Sequence, residues 1–112
     1  MNFYIANSYN EVNPTSKNVY FDEDLMDFIY DNRIRLNYIL NLRLLTNIDS
    51  YSNELIQNTN LSGIKTICEQ ILKSGILENY TTPIDAKKTF VDLISLIDTA
   101  IQHKSNIVSV GD

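Results

Sequence analysis

The 112-residue chain has no tryptophan, one cysteine, one histidine, three glycines and two prolines, and each scarcity removes a class of protein. A lone Cys68 cannot close an internal disulfide, so nothing points to an oxidising compartment. Cys68 and His103 fall short of the ligand set of a zinc site, and a nucleophile relay has only His103 as its histidine base, with Cys68 as the best partner for it. Cys68 sits among Ile64, Ile67, Ile71 and Leu72, where a thiol reads as packing rather than chemistry. With only Gly63, Gly75 and Gly111 there is no glycine-rich phosphate loop. No apolar run approaches the ~18 residues that span a bilayer. Met1 to Ser8 has neither the basic start nor the continuous apolar run of a secretory signal. The expectation is a cytoplasmic protein that is not an enzyme, with no catalytic residue, metal or cofactor.

Positive charge is also scarce. Nine Lys and Arg stand against fourteen Asp and Glu, for a net charge of -5 and a pI near 4.7. A sequence-independent hold on nucleic acid comes from bases neutralising phosphates, so this balance opposes it and favours basic protein partners. Acidity equally serves to keep a protein dispersed.

What is present suffices for one core. The hydrophobic fraction of 44% and charged fraction of 21% belong to an ordinary globular chain, read here as one domain over residues 1–112. Residues 7–18, rich in Asn, Ser and Thr around Pro14, read as a loop or mobile arm. The expected fold is mainly α (α+β): a compact helical domain with short N- and C-terminal strands, near Phe3–Ile5 and Ile107–Val110, that could pair.

Four segments carry the helical reading. Asp22 is a good N-cap, with Glu23 and Asp24 in the first turn, for a helix over Asp22–Asp31 whose inner face is Phe21, Leu25, Phe28 and Ile29. Residues 33–45 alternate polar and apolar yet sit between helical neighbours, leaving strand and helix both open, with helix favoured. Residues 46–60, rich in Asn, Ser and Asp, read as a long ordered loop or a broken helical turn. Asn60 is a candidate cap for a helix carrying Ile64, Ile67, Cys68, Ile71 and Leu72 and ending at Gly75. Thr82-Pro83-Ile84-Asp85 is the expected start of a last helix whose buried face is Phe90, Leu93, Ile94, Ile97 and Ile101, with His103 and Lys104 at its end.

The acidic helix holds the candidate partner-binding residues. Glu23, Asp27 and Asp31 stand at successive i, i+4 positions, where like charges repel by a few tenths of a kcal/mol per pair. The helix dipole explains first-turn acids but opposes Asp31 near the C-terminus. Compensation has to come from Arg33 or Arg35 folding back, or from a partner's basic surface. Tyr30, between Asp27 and Asp31, is the candidate anchor. The density of carboxylates lacks the spacing and glycine of an EF-hand, and a solvated helix face remains the plainer reading.

Four stretches carry a family resemblance: Tyr20-Phe21-Asp22-Glu23-Asp24-Leu25, Asn47-Ile48-Asp49-Ser50-Tyr51-Ser52, Cys68-Glu69-Gln70-Ile71-Leu72, and Ile107-Val108-Ser109-Val110-Gly111-Asp112. In these, and in length, charge and layout, the chain resembles the small acidic immunity proteins of bacterial polymorphic and contact-dependent toxin systems. The resemblance implies a non-enzyme that binds a cognate toxin in a 1:1 complex and either covers its active site or blocks it from a neighbouring surface. Many such toxins are nucleases with cationic clefts, so Glu23, Asp27, Tyr30 and Asp31 would face that cleft. Rival readings are a small antitoxin-like regulator that dimerises and binds DNA through Arg33 to Arg43, and an enzyme subunit without a site of its own.

Overall fold

Two stretches from opposite ends of the chain meet in the middle of a sheet. The computed structural model describes residues 1–111. In it β1 (Asn2–Ile5) pairs antiparallel with β4 (Ile107–Val110), with Phe3 opposite Ser109 and Ile5 opposite Ile107. This is the pairing expected from the β-branched residues of β4. Two strands not anticipated complete the sheet: β2 (Asn18–Tyr20) flanks β1 and β3 (Glu54–Ile56) flanks β4, giving the order β2-β1-β4-β3. The fold is α+β.

Pleating sends alternate side chains to opposite faces. Phe3, Val19 and Ile107 join the main core on one face, whereas Val108 is buried outside that cluster. Against the core face lie α3 (Asn58–Ser74) and α4 (Pro83–Gln102), which pack on each other, with α1 (Glu23–Asp31) and the short α2 (Arg43–Thr46) alongside. Phe21 is the hub. It is fully buried, with edge-to-face contacts to Phe3 at 6.1 Å and to Phe90 at 5.4 Å, and so ties β1 and α4 to the start of α1.

The helices show which local signals were decisive. At α1 the expected cap forms: Asp22, at φ -65° and ψ 135°, accepts the Asp24 amide at 3.0 Å. Asn32 closes the helix by donating its side-chain amide to the Phe28 carbonyl at 2.8 Å. Met26, absent from the expected inner face, is buried, and Phe28 is only half-buried against Tyr80. At α4 the expected Thr82 side-chain cap does not form. Pro83 does open the helix, but Thr82 at φ -128° and ψ 76° lies off the usual capping geometry, and its hydroxyl bonds no helix amide. Within α4, Leu96 is fully buried while the expected Ile101 reaches the rim at 36% exposure. Replacing Asp22 by Ala should therefore lower stability by about 0.5–2 kcal/mol, and Thr82→Ala should stay within about 0.5 kcal/mol. Paired urea denaturation curves measure the difference.

α3 begins at Asn58, earlier than the Asn60 cap expected. Its first turn is held from the far end of the chain: the Asn58 amide donates to the Asn106 side chain at 2.8 Å, and the Asn58 side chain donates to the Ser105 carbonyl at 2.6 Å. The helix ends at Gly75, whose φ of 76° suits a residue without a Cβ.

Between α1 and α2 the chain is neither strand nor continuous helix. Residues 33–42 run as linked turns, with Leu36 donating to Asn32, Ile39 to Leu36 and Leu44 to Asn41. The buried residues here are Leu36, Ile39, Leu42, Leu45 and Ile48, a strict three-residue period, which is that of successive tight 3₁₀-like turns. The two-residue alternation was a coincidence of composition: Ile34, Tyr38 and Leu40 point to solvent at 78%, 62% and 80% exposure. Residues 46–60, read as a loop, contain β3. Residues 7–17 form a loop with one 3₁₀ turn at Tyr9–Glu11.

Candidate partner-binding surface

α1 presents its acids as the helical spacing requires. Leu25, Met26 and Ile29 face the core, which turns Asp27, Tyr30 and Asp31 outward to the surface, with Glu23 half-buried. Tyr30 is 46% exposed. The structure thus brings three of the four candidate residues onto one open face and gives the fourth a tie within the chain. The Glu23 carboxylate accepts a hydrogen bond from the Tyr51 hydroxyl, fastening the first turn of α1 to the turn that precedes β3.

The sequence left open whether Arg33 or Arg35 compensates Asp31. Among the described residues Arg35 forms no ion pair, and Arg33 turns elsewhere. Its Nη1 donates to the Tyr30 carbonyl at 3.0 Å and its guanidinium lies over the Tyr30 ring at 4.0 Å, a cation–π contact that occupies the base and holds the ring. The i, i+3 spacing of Tyr30 and Arg33 is the signal that could have revealed this stack. Among the described residues, neither Asp27 nor Asp31 has an ion-pair partner. The described side-chain ion pairs lie elsewhere: Lys65 with Asp98 at 2.7 Å, Lys88 with Asp92 at 2.6 Å, and Lys87 with Glu78. All belong to α3, α4 and the 3₁₀ turn at Ile76–Asn79. Charge is neutralised pairwise on these elements and left open at Asp27 and Asp31.

Burial pushes the Tyr80 hydroxyl up, and the carboxylates of Asp22 and Asp24 push it further. Between α3 and α4 the hydrogen bond to Asp98 raises the Lys65 ammonium.

Cys68 is fully enclosed, and burial drives its thiol up to about 12, so it stays protonated at neutral pH. His103 caps the end of α4 in the open. Because the folded chain holds the Cys68 proton more tightly than the unfolded chain does, its contribution to stability is complete below pH about 9 and is lost as pH rises toward about 12. Native Cys68 should resist a thiol reagent at pH 8 over a time in which urea-unfolded chain is fully labelled. Rapid labelling of the native protein contradicts the enclosed thiol.

Among the described residues no cluster of three or more His, Cys, Asp or Glu could hold a metal ion, and no helix is long and apolar enough to cross a membrane. In the candidate DNA-reading segment, residues 33–42 form turns and Arg43 opens the four-residue α2. Comparison of the chain with protein-family models, with curated proteins and with solved structures finds no match.

Proposed function

We propose that the protein is a non-catalytic inhibitor that binds a basic protein toxin one to one, seating the open acidic face of α1 in the toxin's cationic substrate cleft. The observation that carries this reading is that Asp27 and Asp31 are exposed and unpaired on either side of Tyr30, while the nearest base, Arg33, is committed to the Tyr30 ring and carbonyl. A lasting like-charge row opposed by the helix dipole lowers the stability of the chain alone. A basic partner reverses the sign of both effects. Such a surface steers encounter and raises the association rate, which suits an inhibitor that must arrive before its target acts. A nuclease cleft, built to receive phosphate charge, fits the carboxylates best, and the held Tyr30 ring supplies contact area with little entropy left to lose.

The test begins with the product of the adjoining gene, co-expressed and purified as a complex. Stopped-flow association is then measured at low and at physiological salt. The double replacement Asp27→Asn with Asp31→Asn should leave the fold intact, slow association about tenfold at low salt and flatten its salt dependence. Equal rates for the double variant and the wild type at both salts would reduce the row to a solvated face.

A further inference from the structure

A second surface is built from different residues and does not rest on the reading above. It lies at the open edge of the sheet beside β3. The amide of Ala6 donates to the carbonyl of Asn106, which fixes the alternation of the antiparallel ladder: on β4, Val108 and Val110 turn their amides and carbonyls toward β1, and Ile107 and Ser109 turn theirs toward β3. Ile107 stands opposite Ile56 and Ser109 opposite Glu54. Leu55, between those two, therefore directs its own N–H and C=O away from the sheet, and its residue is 49% exposed.

A groove of about 400 Å³ runs along this edge, between β3 and the segment that contains α2. Its apolar lining is Leu44, Ile48, Leu55, Ile56 and Ile64, and its charged residues are Glu54 and Arg43. Glu54 is already engaged, accepting the Asp49 amide at 2.8 Å. Arg43 is exposed, and its guanidinium has no partner among the described residues. Within the groove, Arg43 is therefore the charge left open to a ligand. The groove thus joins a free backbone donor and acceptor, an apolar floor and one uncommitted base.

We propose that this groove receives an extended segment of a partner protein, added to β3 as a fifth strand, with an apolar side chain and a carboxylate side chain entering the groove and the carboxylate paired with Arg43. Strand addition takes affinity from main-chain hydrogen bonds and specificity from alternate side chains. The residue opposite Leu55 would bond its outward N–H and C=O. Its two neighbours would share the face of Glu54 and Ile56, which is the face that lines the groove. Arg43 then selects for the acid, because a guanidinium bonds a carboxylate in a charge-assisted pair and a neutral amide only weakly.

The probe is a capped peptide of about seven residues, in which threonine alternates with valine and a single glutamate so that both inward side chains are supplied. Binding to the full chain is followed by amide resonances. Shifts should concentrate on residues 54–56 and on Arg43, Leu44 and Ile48. Exchanging the glutamate for glutamine should weaken binding about tenfold, and Arg43→Ala should abolish that preference. Methylating the peptide nitrogen opposite Leu55 should abolish binding without altering the protein. Shifts elsewhere, no binding, or equal affinity for the glutamate and glutamine peptides overturns the proposal. So does a concentration-dependent dimer that buries Leu55, since the occupant would then be a second copy of the chain.

Discussion

Phe21→Ala is expected to remove a large part of the stability of the fold, about 3–5 kcal/mol from the roughly 5–15 kcal/mol available to a domain. The ring is fully buried and lies between the rings of Phe3 and Phe90. Its loss would open a cavity where β1, α1 and α4 meet. The backbone at Phe21 also donates to the Met1 carbonyl at 2.8 Å, so the start of α1 and the start of β1 are held at one point. Phe21→Leu keeps more of the volume and should lose distinctly less. Urea midpoints for both variants measure the contrast, and a Phe21→Ala midpoint within error of wild type would mean that the core does not converge on this ring.

Gly111→Ala is expected to lower stability by about 1–3 kcal/mol, a large effect for one methyl group. A Cβ at Gly111 would stand 2.5 Å from the Ser52 nitrogen, 2.5 Å from the Tyr51 carbonyl carbon and 2.7 Å from the Ser52 oxygen. All three are backbone atoms, so no rotamer change relieves the contact. The turn at residues 51–53 must move, and with it the bond from the Gly111 amide to Asn53 Oδ1 at 3.1 Å. Tyr51 carries the hydroxyl that binds Glu23, so the disturbance should reach the first turn of α1. A shift in Tm together with new amide shifts at Glu23 and Asp24 would register both effects. An unchanged Tm would show that the turn can yield freely.

These two sites mark what local sequence could and could not reveal. The Asp22 cap, Gly75 and the apolar faces of α3 and α4 act over one or two helical turns, and they were readable because both partners lie within the same short window. β3 was not readable, because three residues flanked by Asn and Ser owe their extended form to bonds with β4. The start of α3 depends on Asn106 and Ser105, which no window around Asn60 contains. Over residues 33–48 two periods overlap at Leu36 and Leu42, and only the packed structure distinguishes the three-residue one. Of the candidate surface, the outward placement of Asp27, Tyr30 and Asp31 followed from helical spacing. The hold of Arg33 on the Tyr30 ring and the bond from Tyr51 to Glu23 depended on side-chain geometry that charge counting does not contain. The groove at Leu55 had no local signature at all.

The central place of β4 has a consequence for biosynthesis. During translation β1 and β2 leave the ribosome early and β3 somewhat later, yet the strand that joins them is 107–110. At about 5–20 residues per second, the stretch 57–106 takes several seconds to make. Throughout that interval β1 lacks its inner neighbour and β3 lacks the strand that holds it extended, and the open edge of β1 invites pairing with other chains. Molecular chaperones would find their clearest substrate in that window.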